Sequence, residues 1–188
     1  MNKQLPELYR YIQKELPLKR FRHCASTAIC AEMLARKYNE RPDPVIFAAM
    51  AHDIARDFAV EKLIRLCADS AIEIPDEYMA NPVLLHGPAG AVFVKKQFGA
   101  EDPRIEKSIF WHTSGHVSMD ESAKIVYIAD YIEALRTHIS IDERERVFSL
   151  DLDRALLYIM RKQREYFKKY NMHEISYFTQ LINRLEVN

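Results

Sequence analysis

Glycine is scarce in this chain, with four in 188 residues. No stretch shows the Val/Ile/Thr-rich alternation of a half-buried strand. Together these absences argue against a β-rich fold. Cysteine is also sparse: Cys24, Cys30 and Cys67 form no CxxC pair, and an odd count gives no disulfide framework. Reduced, mostly buried thiols are expected, and a thiolate nucleophile is not. Net charge is missing too. Lysine plus arginine and aspartate plus glutamate stand at 27 each. That balance removes the electrostatic basis for broad attraction to a nucleic-acid polymer or a membrane, while leaving local basic pockets open. No apolar run approaches the ~20 residues needed to cross a bilayer. The opening MNKQLPELYRYIQKEL lacks a signal-peptide apolar core and a small-residue cleavage site. A cytoplasmic location is the expectation. Neither internal repeats nor low-complexity tracts occur.

What is present is helical spacing over a chain that is 48% apolar. The pattern predicts helices over about Gln4–Leu16, Lys19–Tyr38, Asp43–Asp57 and Val60–Ser70. It also predicts helices from Pro88 to near Gly99, from Asp102 to about His112, over Asp120–His138, Leu150–Tyr170 and Met172–Glu186. Asp43–Pro44 and Asp102–Pro103 read as caps followed by proline in the first helical position. Ile72–Leu85 reads as a linker with room for one short turn. The segment 139–148 is charged with no evident core face, and IDERERVFSL reads as a solvated loop or helix edge. The expected architecture is all-α, a single helical bundle of seven to nine helices over residues 1–188. Its core would span about 16–138, with a C-terminal helical pair over about 150–186 packed upon it.

Several polar residues sit where apolar ones belong. In 47-FAAMAHDIAR-56, His52 and Asp53 interrupt a core-like run near the end of the third predicted helix. Burying both is costly unless each finds a partner. His23 is followed by small, apolar residues in 20-RFRHCASTAIC-30. His86 stands at a helix start, and His112 at a helix end in 109-IFWHTSGH-116. Asp130 lies in 125-IVYIADYIEAL-135, a helix apolar around nearly its whole circumference. Any one of these is as readily a satisfied structural residue as a ligand. Taken together, histidine and aspartate are the mixed nitrogen and oxygen donors of zinc, iron and manganese. His23, His52, Asp53 and Asp130 suffice for one ion. His86 and His112 would complete a second site with Asp53 bridging, and paired ions are a recurrent device for cleaving phosphate esters.

The order His23, His52-Asp53, His86, His112, Asp130 resembles the two-metal form of the HD-domain phosphohydrolases. The strings AHDIAR, LLHGPAGA, FWHTSGH and KIVYIADYIEALR resemble one branch, the YqeK family of symmetrical diadenosine-tetraphosphate hydrolases. The similarity runs from about Leu16 to Arg136. It implies that His23, His52, Asp53 and Asp130 hold a first divalent metal, and that Asp53 bridges to a second held by His86 and His112. Iron is the metal associated with the family, with manganese or magnesium as substitutes. The implied reaction cleaves the tetraphosphate to two ADP by attack of a metal-bound hydroxide on phosphorus. In the last motif, Glu133-Ala134-Leu135-Arg136 stands where relatives often carry a proline and a small residue.

Arg56 and Arg136 are the leading candidates to stabilise the polyphosphate, with Arg56 counted beside His52 and Asp53 in the catalytic set. Lys19, Arg22 and His116 follow, and Thr113, Ser114 and Gly115 offer loop hydroxyls and N–H groups. Surface ion pairing is the alternative for both arginines. His138 and His173 lack a partner pattern and read as surface or structural residues. A homodimer remains open. Two rivals remain as well: an HD-type nucleotidase acting on other (deoxy)nucleotides, and a non-catalytic nucleotide-binding regulatory module.

Overall fold

The computed structural model describes residues 4–187. Among them are eleven α-helices, one 3₁₀ turn and no strand. The all-α expectation holds, but the helix number exceeds seven to nine. The excess comes from α5 (Asp76–Ala80) inside the expected linker and α9 (Ile141–Ser149) inside the expected solvated stretch.

The helix at the centre is α3 (Pro42–Ala51). It packs against α1 (Gln4–Glu15), α2 (Leu18–Lys37), α7 (Pro103–Trp111) and α8 (Glu121–Ile132). Its sequence explains this position. Val45, Phe47, Ala48, Ala49, Met50 and Ala51 are all buried, so no polar face is left for water. The helix starts two residues earlier than the spacing suggests, with Pro42 rather than Pro44 first and Arg41 rather than Asp43 as the flanking residue. It also ends six residues earlier. From Ala51 onward the chain tightens into successive turns, with Ile54 N–H bonded to Ala51 O and Arg56 N–H to Asp53 O. His52 and Asp53 therefore lie just beyond a helix end that points into the protein.

Helix α6 (His86–Phe98) stops at Gly99, whose φ of 63° is left-handed, as the sequence suggests. Asp102 caps α7 by accepting from Arg104 N–H, and Asp120 caps α8 by accepting from Ala123 N–H. Two further departures from expectation follow along the chain. Helix α8 ends at Ile132 and does not reach His138. The cause is Arg144, whose guanidinium donates to the carbonyls of Ile132, Glu133, Arg136 and Ile139 at 2.6–3.0 Å. These bonds give the carbonyls partners that a continuing helix would have supplied. The second difference is α9 itself. Ser140 accepts from Glu143 N–H, and Val147 is buried. The Ser140-x-x-Glu143 spacing of a capping box was the available signal.

Helix α10 (Leu152–Lys169) lies on α8 through Ala155, Leu156, Ile159 and Met160, and α11 (Ser176–Val187) lies on α10. One hydrophobic cluster takes in buried residues from α1 to α11. Helix α4 (Val60–Cys67) packs on α6 at the edge of this assembly.

The start of α6 runs unusually close to α7. A Cβ on Gly87 would lie 2.6 Å from the carbonyl oxygen of Phe110. Only glycine permits that approach, which sets His86 beside His112. We expect Gly87→Ala to force the two backbones apart and lower stability by about 2 kcal/mol, as overpacking of a tight core contact does. Urea unfolding would measure it, and an unchanged midpoint would show that the contact yields without cost.

Candidate metal centre

Three of the histidines are positioned by the same local device. His52 follows the last residue of α3, His112 follows the last residue of α7, and His86 follows the 3₁₀ turn Pro82–Leu85. Each ring donates from Nδ1 to the carbonyl three residues earlier. The acceptors are Ala49 at 2.7 Å, Ile109 at 2.7 Å and Val83 at a very short distance. A helix end leaves its last carbonyls without amide partners, and the imidazole fills one of these places. The bond fixes the tautomer and leaves Nε2 as a lone-pair donor. His23 sits mid-helix in α2, and its Nδ1 meets the buried carboxylate of Glu133 at 3.2 Å.

The four Nε2 atoms converge. His23 and His52 approach to 3.1 Å, and His86 and His112 to 3.0 Å. Two carboxylates complete the cluster. Asp130 Oδ1 lies 2.9 Å from His23 Nε2 and 3.6 Å from His52 Nε2. Asp53 Oδ1 lies 3.2 Å from His86 Nε2 and 3.8 Å from His112 Nε2, and its Oδ2 is 3.9 Å from His52 Nε2. All six residues named from the sequence are thus brought together. Donor atoms of His23, His52 and Asp130, and separately of His52, Asp53 and His112, lie mutually within 4.8 Å.

This arrangement needs a cation. With Nδ1 acting as donor on both rings, His86 and His112 aim neutral Nε2 lone pairs at each other across 3.0 Å. A proton or a metal ion must lie between them. Burial makes the proton costly: it lowers the pKa of His86, and it lowers that of His52 to about 4 against the pull of Asp53 and Asp130. The carboxylates stay ionised. Burial alone would raise Asp53, but the His112, His52 and His86 rings packed around it hold it well below the usual range. Asp130 is likewise held low against its burial by His23, His52 and Arg136. Imidazole nitrogens and carboxylates of this kind suit a borderline divalent ion, so the donor set fits the metal implied by the motif.

The cluster forms the floor of a cavity of about 450 Å³. Lys19, Arg20, Arg56, Arg136 and Thr113 are among its walls. Arg56 donates to Val83 O, and Arg136 holds Asp130 through Oδ1 at 2.5 Å. The Thr113 hydroxyl is buried and has no hydrogen-bond partner among the described residues. Other expected phosphate contacts lie elsewhere. Arg22 is exposed and does not line the cavity. Gly115 faces Leu181 and Met160, where its φ of 66° serves a turn. His116 stacks on Trp111 with ring centroids 4.2 Å apart, and the Ser114 hydroxyl accepts from Tyr78. These loop residues turn back to pack the core once α7 ends.

Arg20 escaped the sequence reading. Its Nη1 is 2.6 Å from Asp53 Oδ2, and its other nitrogens hold Asp57. The signal was its place three residues before His23, on the same helix face. Glu133, which orients His23, likewise carries a role its motif did not announce. The three cysteines are free and buried, and burial pushes Cys30 up to about 12 and Cys67 up to about 11. No thiolate is available, as expected.

Comparison with known proteins agrees with this geometry. The HD domain family model matches residues 20–135, which include the whole cluster. The chain is 29% identical to the symmetrical bis(5'-nucleosyl)-tetraphosphatase of Bacillus subtilis, over 91% of this chain and 90% of that one. It is 28% identical to the enzyme of the same name from Staphylococcus aureus, over 81% and 79%. A solved structure from Clostridium acetobutylicum, described as a predicted HD superfamily hydrolase involved in NAD metabolism, superposes with a TM-score of 0.89. It shares 31% identity over 97% of this chain and 96% of that one. With its six-residue cluster in motif order and these relatives along nearly its full length, the chain belongs to the HD-domain family and to its YqeK branch.

Proposed function

We propose that the protein hydrolyses diadenosine tetraphosphate symmetrically, giving two ADP. The observation that carries this reading is the convergence of four Nε2 atoms and two carboxylates in one cluster beneath a cation-lined cavity. The relatives named as symmetrical tetraphosphatases over most of the chain support the substrate.

In this reading His23, His52, Asp53 and Asp130 hold one divalent ion. Asp53 is shared with a second ion held by His86 and His112. Iron is our assignment, with manganese or magnesium able to replace it. Such ions supply Lewis acidity, polarising phosphoryl oxygens and making water a competent nucleophile at neutral pH. The chain's own residues do the remaining work. The Nδ1–carbonyl bonds of His52, His86 and His112 hold the rings against rotation, so the ligand geometry is set before substrate arrives. Arg56, Lys19 and Arg136 balance the charge of the polyphosphate, and Thr113 lines the same cavity. Arg20 neutralises the outer oxygen of Asp53 and steadies it as a bridge. The chain acts as one domain, with α10 closed against α8 and α11 against α10. No described helix is long and apolar enough to cross a membrane, and we place the protein in the cytoplasm with its thiols reduced.

Metal analysis tests the centre directly. Purified wild type is expected to carry divalent metal, and the double variant His52→Ala with Asp53→Ala to carry almost none. Equal, negligible metal in both would refute the site. A second prediction follows from proton competition. Burial opposes charge on His23, but its bonds to Asp130 and Glu133 raise its pKa above the ordinary histidine value. A proton on Nε2 must leave before metal binds. Manganese affinity, measured by calorimetry, should fall roughly tenfold or more from about pH 7.5 to about pH 5.5, with proton release on binding. A pH-independent affinity would remove His23 from the ligand set. The substrate is tested by products: metal-loaded enzyme should yield ADP alone from diadenosine tetraphosphate, and act less well on nucleoside mono- and diphosphates. Detection of AMP with ATP would contradict cleavage at the central bond.

A further inference from the structure

The outer side of α10 carries groups that hydrolysis of a small dinucleotide does not use. From Tyr158 to Tyr170 the helix reads YIMRKQREYFKKY, with five cations and one carboxylate. The balanced charge of the whole chain conceals this local excess. Arg161 and Arg164 are committed to Glu186 and Glu174. Lys162 has a 3.7 Å contact with Glu165, and Lys168 and Lys169 have no ion-pair partner among the described residues.

The cations alternate with rings. Tyr158, Lys162 and Tyr166 follow at four-residue intervals, and Lys169 and Tyr170 continue the stripe along one side of the helix. Arg146 of α9 stands 4.8 Å over the Tyr158 ring, with Lys162 Nζ 5.9 Å from the same ring. Lys169 Nζ lies 5.3 Å from the Tyr170 ring, and the Tyr166 and Tyr170 centroids are 4.5 Å apart. Tyr166 and Tyr170 are each 54% exposed, so about half of each side chain remains uncovered. The stripe is about 18 Å long at the helical rise per residue.

This surface is continuous with the metal centre. Lys162 and Tyr166 also line a cavity of about 570 Å³ between α8 and α10. His112, Asp130 and Arg136 line both that cavity and the one above the metal ligands. An open path therefore runs from the cluster to Tyr170. Exposed rings interleaved with lysines are the surface a single polynucleotide strand requires: bases stack on the rings and phosphates meet the cations.

We propose that this face binds single-stranded RNA whose 5′ end is joined through a tetraphosphate to adenosine, and that the protein removes this 5′ group. The proposal rests on reading the metal centre as a diadenosine-tetraphosphate hydrolase. Such a strand contains the same tetraphosphate, with one nucleoside extended from its 3′ oxygen. The sugar of the dinucleotide is ribose, so the extended strand is RNA. The step is unchanged. Water's oxygen bonds to one phosphorus of the central anhydride, that phosphorus loses its bond to the bridging oxygen, and the bridging oxygen leaves with the other half. The products are ADP and RNA bearing a 5′-diphosphate, with a proton released to solution.

The test uses the full, manganese-loaded chain and two substrates. One is diadenosine tetraphosphate, and the other is a single-stranded RNA of about six nucleotides carrying the adenosine tetraphosphate at its 5′ end. Tyr170→Ala and Lys169→Glu alter the stripe at exposed positions far from the cluster. Each is expected to raise KM for the RNA roughly tenfold, the usual scale for losing a stacking or phosphate contact, with kcat little changed. Both kinetic constants for diadenosine tetraphosphate should stay at the wild-type values. Fluorescence anisotropy of the same RNA with a 5′-monophosphate, which cannot be cleaved, should show a matching loss of affinity. Wild-type KM for the RNA in both variants would overturn the proposal, as would failure to cleave the RNA by an enzyme that cleaves the dinucleotide. Binding of anionic lipid vesicles, but not of the RNA, with the same dependence on Tyr170 and Lys169 would mark a membrane face and overturn it too. If the RNA binds with this dependence while neither substrate is cleaved, the strand-binding face stands and the hydrolase reading fails.

Discussion

The structure is organised around an electrostatic problem: four imidazole lone pairs and two carboxylates directed at one buried point. Without a cation, this arrangement is repulsive, and the low dielectric of the interior magnifies the repulsion. The fold supplies what holds the rings there. Three helical segments end at the cluster, and each ends on a histidine whose Nδ1–H is tied to its own last turn. Side-chain orientation is therefore a property of helix termination. The termini are themselves placed by packing, with α3 buried at the centre and α6 pressed on α7 at Gly87.

The same cluster explains the distribution of arginines. Arg20 takes the outer oxygen of Asp53, and Arg136 takes Asp130. Each neutralises a carboxylate from the solvent side while the histidines meet it from within. Both arginines also line the cavity, so the groups that balance the acids stand where an anionic ligand would enter. Arg136 faces two cavities at once, which makes its loop the hinge point between phosphate chemistry and the aromatic pocket beyond.

Much of this was legible in the sequence because it depends on local rules. Proline after aspartate opened α7, aspartate capped α8, and glycine ended α6. The six clustered residues were legible as a set, since each was a polar group in an apolar frame. What was not legible depends on contacts distant in sequence. The run Ile54-Ala55 favours continuing α3, and nothing local announces that the His52 ring will take up an Ala49 carbonyl instead. Arg20 becomes a site residue only because Asp53 and Asp57 fold onto its helix. The early end of α8 is set by Arg144, and the aromatic cavity exists only once α10 lies on α8. Arg22 and His116 ranked with Lys19 in the sequence, and helix phase and a stack on Trp111 separate them from it.

Arg144 has a wider consequence. The connection from Glu133 to Ile139 carries both the carboxylate that orients His23 and the guanidinium that grips Asp130. Most of its side chains face solvent, so it lacks an apolar anchor of its own apart from Ile139. Its order comes from one planar, five-donor group reaching four carbonyl oxygens at once. A lysine at this position could not reproduce that fork, because its donors radiate from a single nitrogen. The loop's side chains can therefore vary freely at several places, while its backbone course hangs on one fastener from a neighbouring helix. Precision at the centre is in this sense held remotely: the shape of the loop beside the cluster is stored in a residue that lies outside it.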